Sequence, residues 1–193
     1  VARSPDGTRA EQDRGEPTAP PSTGKEDAKV TELPQRPAAR AQTGFIFSNP
    51  DVQIIMPTVR EDVAFSLRGS GLKKAEIETK SRAILKRFEI EHLADQAAHS
   101  LSSGQKQLLA ICAILVTEPK LIVADEPTAL LDLVNSRRIA RALLSDLPQQ
   151  IVLVTHDLEL AAGCDVLLRF AGAKLVQIGD PSAVISSYLA ENA

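Results

Sequence analysis

Two continuous apolar segments, separated by one amphipathic segment, constrain the fold of this chain most. The segments are "LIVAD" (residues 121–125) and "IVLVTH" (residues 151–156), and a helix is predicted between them at residues 134–147. Strands that are apolar along their whole length are typical of a parallel sheet with helices on both faces. The sequence therefore predicts an α/β fold built on a parallel sheet.

The same periodicities predict the other elements from residue 43 onward. One stripe of the helix at residues 73–88 carries Ile77, Ile84, Leu85 and Phe88, which predicts that this side is buried. The helix predicted at residues 103–117 has apolar residues on most sides, which predicts that it is buried altogether. The remaining predictions are strands at 44–48, 164–170 and 173–179, and helices at 59–68, 103–117, 157–163 and 181–192.

The first 42 residues differ in composition from the rest of the chain. They contain six prolines and charges of both signs, and Val30 and Leu33 are almost the only large apolar side chains. Such a segment buries too little surface to offset the entropy lost on ordering. We therefore expect a disordered tail at residues 1–42 and one domain at residues 43–193.

Charge and composition exclude several classes of function. The net charge of −3 and the absence of Trp argue against a nucleic-acid partner. The longest apolar run, residues 108–116, is far shorter than the ~20 residues that span a bilayer. Cys112 and Cys164 lie among apolar neighbours, which predicts buried thiols in a reducing compartment rather than a disulfide.

Two adjacent acids, Asp125 and Glu126, follow the first apolar strand. Ligands of open α/β sheets bind at the carboxyl ends of the strands. Neighbouring carboxylates repel each other unless a cation or a proton-accepting role absorbs one charge. Asp125 is therefore a candidate Mg²⁺ ligand and Glu126 a candidate to polarise an attacking water. The alternative is a solvated acidic pair where a strand meets a loop.

The motif "LSSGQ" (residues 101–105) precedes the apolar helix. Ser102 and Gln105 have the spacing of a capping box, in which each side chain bonds the backbone N–H of the other residue. Gly104 would keep the first turn uncluttered, so that its N–H groups and the positive end of the helix dipole face an anion. The alternative is an ordinary capped helix.

His156 ends the second apolar strand and would stand at the same edge of the sheet as Glu126. From there an imidazole could bond the γ-phosphate of a nucleotide. The alternative is a structural histidine at a strand end.

The motifs "LSSGQKQ", "LIVADEPTALLD" and "VLVTHD", in this order and spacing, resemble those of the nucleotide-binding subunits of ABC transporters. The resemblance implies a P-loop NTPase core of the ABC type and a site that contains a signature motif, two Walker B acids, a D-loop at residues 128–132 and a switch histidine. Glu126 and His156 would be catalytic, and Asp125 would hold Mg²⁺. The residues that would contact ATP are Ser102, Ser103, Gly104, Gln105, Asp125 and Asp132. Ser103 stands where the family usually has Gly.

A narrower resemblance lies in "FIFSNPDVQIIMPTVREDVAF" (residues 45–65), which is similar to the ATPases of energy-coupling-factor importers, nearest to the biotin type. It implies a helical subdomain at about residues 49–99 that docks on a transmembrane coupling protein, a second ATPase subunit, and a membrane protein that captures the substrate. The location would be peripheral, on the cytoplasmic face of the membrane. Ser48 occupies the position of the usual Q-loop glutamine, and Gln53 is a candidate to replace that amide.

The pair Gly24-Lys25 has the appearance of a phosphate loop but lacks its pattern. In G-x-x-x-x-G-K-[ST], Ala19 would replace the first glycine and Glu26 the Mg²⁺-binding hydroxyl. No strand pattern precedes the pair. We therefore predict that it is not a phosphate loop and that the N-terminal lobe of the ATPase is incomplete.

Three functions remain open on the sequence. The first is a truncated ATP-binding subunit that couples ATP hydrolysis to uptake of a vitamin or metal ion, of the biotin or cobalt type. The second is a non-catalytic partner or remnant that supplies only its signature motif to an intact ATPase. The third, an ABC ATPase of DNA repair or translation, is disfavoured because such proteins usually carry long coiled-coil or tandem-domain insertions.

Overall fold

The computed structural model describes residues 42–129, 131–144 and 147–192. The predicted tail, with Gly24-Lys25, lies outside the described residues except for its last residue, Gln42. The described elements are, in chain order, β1 (Thr43–Ile46), α1 (Val59–Ser66), α2 (Lys74–Arg87), α3 (Ser103–Leu115), β2 (Leu121–Asp125), α4 (Leu133–Leu144), β3 (Gln150–Val154), α5 (Leu158–Ala162), β4 (Leu167–Ala171), β5 (Lys174–Gly179) and α6 (Pro181–Glu191).

Strands β1, β2 and β3 form a parallel sheet in that order. Phe45 pairs with Val123, and Val123 with Val152, so the three strands run in step. Their carboxyl ends consequently lie along one edge, which confirms the predicted α/β fold with a parallel sheet. This edge carries the residues that follow each strand.

Helix α3 covers one face of this sheet. Ile46, Ile122 and Ala124 point to that face and are fully buried, and most residues of α3 are buried as predicted. The helix approaches β1 so closely that a Cβ at Gly44 would lie 2.3 Å from Cγ2 of Ile114. Glycine at this position is therefore a requirement of packing.

The opposite face of the sheet is open among the described residues. Phe45, Val152 and Val154 point to it and are 45%, 47% and 52% exposed. The expectation that helices cover both faces is thus met on one face by the described part of the chain. An apolar strand pattern reports that both faces are apolar, but it does not identify which segment covers them.

A helical subdomain connects β1 to β2. The predicted stripe of α2 is buried: Leu85 and Phe88 belong to the core, and Ile77 and Ile84 pack against it. Asp62 of α1 is buried as well, and its Oδ1 accepts hydrogen bonds from the backbone N–H groups of Ile55 and Met56 at 2.8 and 2.9 Å. These two bonds fix the loop that leads from β1 into the subdomain.

The last two strands do not join the parallel sheet. β4 and β5 pair with each other in an antiparallel hairpin, a pairing that the predicted alternation of strands and helices did not indicate. Gly172 and Ala173, between Ala171 and Lys174, both have positive φ, at 54° and 59°. Positive φ at both central residues is typical of the type I′ turn, which joins antiparallel strands directly.

Both cysteines are free thiols, as predicted. Cys112 is buried in α3 and Cys164 is half-buried after α5. Burial raises the pKa of each thiol above its ordinary value. Within the described ranges, no helix has both the length and the apolar character needed to cross a bilayer.

Candidate functional site

The acidic pair lies at the carboxyl edge of the sheet. Asp125 ends β2 with an exposed side chain, and the N–H of Glu126 donates to the carbonyl of Val154 on β3 at 2.8 Å. Glu126 has a φ of 47°, in the left-handed region that non-glycine residues seldom adopt. The following Pro127 disfavours the right-handed helical alternative. A left-handed residue of this kind costs about 1–3 kcal/mol, and such strain concentrates at functional sites.

Glu126 and His156 lie at the same edge of the sheet, as the sequence predicted, and there they contact each other. Nδ1 of His156 lies 2.8 Å from Oε1 of Glu126. The imidazole is 85% exposed, whereas the carboxylate is 25% exposed. The hydrogen bond to Glu126, and then the charge of that carboxylate, raise the pKa of His156 above its ordinary value. Glu126 therefore favours the imidazolium, in which both ring nitrogens donate.

Thr155 is a second partner of Glu126 that the sequence analysis missed. Its Oγ1 donates to Oε2 of Glu126 at 3.3 Å and accepts from the N–H of Asp157 at 3.0 Å. Asp157 in turn caps α5, since its Oδ1 accepts from the N–H groups of Glu159 and Leu160. Both oxygens of Glu126 are thus held by a loop that is itself fixed to a helix start.

The capping box at the start of α3 is present. Oγ of Ser102 accepts from the N–H of Gln105 at 3.3 Å, and the N–H of Ser102 donates to Oε1 of Gln105 at 2.9 Å. Ser102 and Ser103 are exposed. The first turn of α3 is therefore accessible on the side of its two serines, as binding of an anion requires.

Gly104, by contrast, is buried by another part of the chain. A Cβ at Gly104 would lie 2.5 Å from Cγ of Asn135, which belongs to α4. The expectation that Gly104 keeps the whole first turn uncluttered is wrong on this side. The glycine leaves room for the side chain of Asn135, a long-range contact that no local pattern reports.

Asp132 caps α4 through Asn135. Oδ1 of Asp132 accepts from the backbone N–H of Asn135 at 2.9 Å, and Oδ2 from its side-chain amide at 2.7 Å. These two bonds hold the pKa of Asp132 below its usual range. Asn135 therefore joins two predicted site residues, Asp132 and Gly104.

Two further contacts attach α3 to the residues that follow β1. Nε2 of the buried Gln107 donates to the carbonyl of Phe47 at 3.1 Å. Nζ of Lys106 lies 2.7 Å from Oδ1 of Asp51. The helix start is thereby held at the same edge of the sheet as the acids. In the sequence, Lys106 and Gln107 stand out only as part of the motif "LSSGQKQ".

The amide of Gln53, the candidate to replace the Q-loop glutamine, bonds the backbone at the end of β1. Its Oε1 accepts from the N–H of Phe47 and its Nε2 donates to the carbonyl of Phe45, both at 2.9 Å. Both ends of the amide thus stabilise the end of β1. Ser48 is half-buried and remains the residue at the Q-loop position.

The side chains at this edge fit a Mg²⁺ ion that is also bound by the phosphates of a nucleotide. Among the described residues, no group of three or more His, Cys, Asp and Glu side chains could hold a metal. Mg²⁺ is commonly bound through one or two carboxylates together with phosphates and waters. The exposed carboxylate of Asp125 fits that arrangement.

Known proteins are similar to this chain in sequence and in fold. The family model described as "ABC transporter" matches residues 18–129, more than half of the chain, and so begins inside the predicted tail. The biotin transport ATP-binding protein BioM of Rhizobium etli is 39% identical over 168 residues, which cover 87% of this chain and 75% of that protein. The energy-coupling factor transporter ATP-binding protein EcfA of Methanocaldococcus jannaschii is 40% identical over 76% of this chain and 54% of its own.

A solved structure agrees with these relatives. CbiO1 of Clostridium perfringens, described as part of the ABC transporter complex cbiONQ, superposes with a TM-score of 0.71 at 35% identity. The match covers 77% of this chain and 61% of CbiO1. This chain therefore spans between about half and three quarters of the length of these three proteins. The family model and the relatives together show that the chain belongs to the ABC transporter family of ATP-binding proteins.

Proposed function

We propose that this chain is an ATP-binding subunit of an energy-coupling-factor importer, in which ATP hydrolysis drives uptake of a vitamin or metal ion. The observation that carries the proposal is the position of Glu126, its backbone conformation and its hydrogen bonds. Its carboxylate stands at the carboxyl edge of the sheet, in a left-handed backbone, bonded by His156 and Thr155. The names of the biotin-transport and energy-coupling-factor relatives support the class of transporter.

In the proposed reaction, Glu126 accepts a hydrogen bond from the attacking water and orients it toward the γ-phosphate. His156 uses Nδ1 to hold Glu126, and its exposure leaves Nε2 facing outward. The raised pKa of His156 favours the imidazolium, so that Nε2 also donates, here to a phosphate oxygen. Mg²⁺, held by Asp125 and the nucleotide, would neutralise part of the phosphate charge.

The signature helix would serve a second subunit. Ser102 and Ser103 are exposed at the start of α3, where N–H groups and the helix dipole favour an anion. The sequence contains no G-x-x-x-x-G-K-[ST] segment. In a dimer, ATP bound by such a loop of a partner subunit would face this turn, with Ser102, Ser103 and Gln105 placed against its phosphates and Asp132 beside them.

The helical subdomain would dock on a transmembrane coupling protein. Val52 and Ile55 lie in the loop that leads into α1, and both are exposed. Apolar side chains on an accessible loop are typical of an interaction surface. This contact would place the chain peripherally on the cytoplasmic face of the membrane, and a separate membrane protein would capture the solute. Biotin is the first solute to test, because the R. etli relative is named for it.

The exposed serines at the start of α3 favour a second candidate, a non-catalytic subunit that contributes only α3. In that case the nucleotide of the partner subunit would be hydrolysed by the partner's own acids. Glu126 of this chain would then face no nucleotide.

Mixing experiments with an intact relative, such as the R. etli protein, separate the two candidates. We expect the purified chain alone to hydrolyse no ATP and the mixture to hydrolyse it with at most one working site per dimer. Loss of most of the mixture's rate in Glu126→Gln would support the catalytic candidate. An unchanged rate in Glu126→Gln, with a loss in Ser102→Ala, would support the second. Equal rates from the chain alone and the intact relative would contradict the two-subunit site.

A further inference from the structure

Asn135 lies between two segments of the proposed nucleotide site. We propose that Asn135 is a positioning residue. It fixes the D-loop carboxylate of Asp132 relative to the first turn of the signature helix, so that the two segments move together when they approach the ATP of a partner subunit. This inference rests on the proposed function, in either of its two candidate forms.

The hydrogen bonds of Asn135 go beyond helix capping. An ordinary N-cap needs only the bond from the backbone N–H of Asn135 to Oδ1 of Asp132, which is present at 2.9 Å. The side-chain amide adds a second bond, to Oδ2, at 2.7 Å. Two bonds to two oxygens fix the orientation of the carboxylate plane, which a single bond leaves free to rotate.

The same amide group packs on the signature helix. Cγ, Nδ2 and Oδ1 of Asn135 would lie 2.5, 2.7 and 2.8 Å from a Cβ at Gly104. The planar amide therefore rests directly on the backbone of α3, where any residue larger than glycine would displace it. Asn135 is half-buried in this contact, although Asp132 is exposed.

Helix α3 is held by the residues that follow β1 as well. Gln107 bonds the carbonyl of Phe47, and Lys106 pairs with Asp51. The start of α3 is thus fixed between the residues that follow β1 and the side chain of Asn135. A shift of the D-loop would be passed to the signature turn through the Asn135–Gly104 contact.

The main test uses Asn135→Leu, which keeps the branched shape of the side chain and removes its donor. We expect kcat of the mixture with an intact ATPase subunit to fall about three- to tenfold, with KM for ATP within about twofold of the wild-type value. The pKa of Asp132, measured by carboxyl NMR on this chain alone, should rise toward its ordinary value. Arg137→Ala on the same helix, which removes only a surface pair with Glu159, serves as the control. Wild-type kcat and an unchanged Asp132 pKa in Asn135→Leu would overturn the proposal.

A double-mutant cycle tests the contact with the signature helix. Relative to its parent, Gly104→Ala should be clearly less favourable for the melting temperature in the wild-type background, where the amide must move, than in Asn135→Ala, where it is absent. Additive effects would overturn the proposal. If the wild-type mixture hydrolyses no ATP, the proposed function fails, while the Asp132 pKa and the cycle still decide whether Asn135 positions Asp132 on α3.

Discussion

Nδ1 of His156 lies 2.8 Å from Oε1 of Glu126, and this bond joins the ends of two neighbouring strands. The parallel pairing of β2 with β3 places Asp125 opposite Val154. Glu126, one residue after Asp125, therefore meets His156, two residues after Val154, at the edge of the sheet. The contact of acid and imidazole is therefore a consequence of strand register. A register shift of one residue would separate them.

The first prediction concerns the charge of His156. Because Glu126 raises the pKa of His156, the imidazole should titrate above its ordinary value, and Glu126→Gln should lower the pKa toward that value. The pair stabilises the fold below the unfolded pKa of His156 and loses this contribution as pH rises through the raised folded value. Solvent screening keeps the contribution small, since the imidazole is mostly exposed.

NMR titration of the imidazole carbon protons measures this shift. An identical pKa for His156 in the wild type and in Glu126→Gln would contradict the observed contact.

A second prediction concerns the packing of α3 on β1. Gly44→Ala places a methyl group 2.3 Å from Cγ2 of Ile114 and should lower the free energy of unfolding by about 1–3 kcal/mol. Gly179→Ala is the matched control, because its nearest neighbour would be at 3.7 Å, an ordinary contact. Chemical denaturation compares the two variants, and equal midpoints would argue against the close approach of α3.

The third prediction concerns the buried carboxylate of Asp62. Asp62→Ala leaves the N–H groups of Ile55 and Met56 without their acceptor, which should cost about 2–4 kcal/mol of stability. Asp95→Ala removes an exposed ion pair with Arg60 instead and should change stability by less than about 1 kcal/mol. Hydrogen exchange should also show faster exchange at Ile55 and Met56 in Asp62→Ala, and protection equal to wild type there would refute the assignment.

The fourth prediction distinguishes the two serines of the signature motif by stability. Ser102→Ala removes the capping bond to the N–H of Gln105 and should cost about 1 kcal/mol. Ser103 is exposed and lies inside the first turn of α3, so Ser103→Ala should leave the unfolding midpoint unchanged. Thermal unfolding of both variants measures the difference, and equal losses would show that the cap is not specific to Ser102.

Most elements were predictable because their signals are local. The helices predicted at residues 59–68 and 103–117 begin at the predicted residues in the structure, where each ends two residues before its predicted end. Caps and apolar periodicity mark helix starts better than helix ends. The His156–Glu126 contact was predictable for a similar reason. Parallel strands align their carboxyl ends, so residues just beyond two strand ends meet.

The contacts that were missed all depend on packing between distant segments. Asn135 was not selected, because an asparagine three positions after an N-cap has no special local pattern, and its contact with Gly104 spans two helices. Thr155 was overlooked beside His156 for the same reason. Both strands of the β4–β5 hairpin were predicted, but not their pairing, because the turn at Gly172 and Ala173 is not among the commonest hairpin pairs, although its φ values are those of a type I′ turn.

Because the backbone of Glu126 is left-handed, the side chain that the proposed activity needs lowers the stability of the fold. A glycine would adopt a φ of 47° without steric penalty, so Glu126→Gly should relieve strain while it removes the carboxylate. Selection of this chain for heat resistance alone would therefore favour loss of the acid on which hydrolysis is proposed to depend. The presence of glutamate at this position indicates selection for what the side chain does, at the expense of a more relaxed fold.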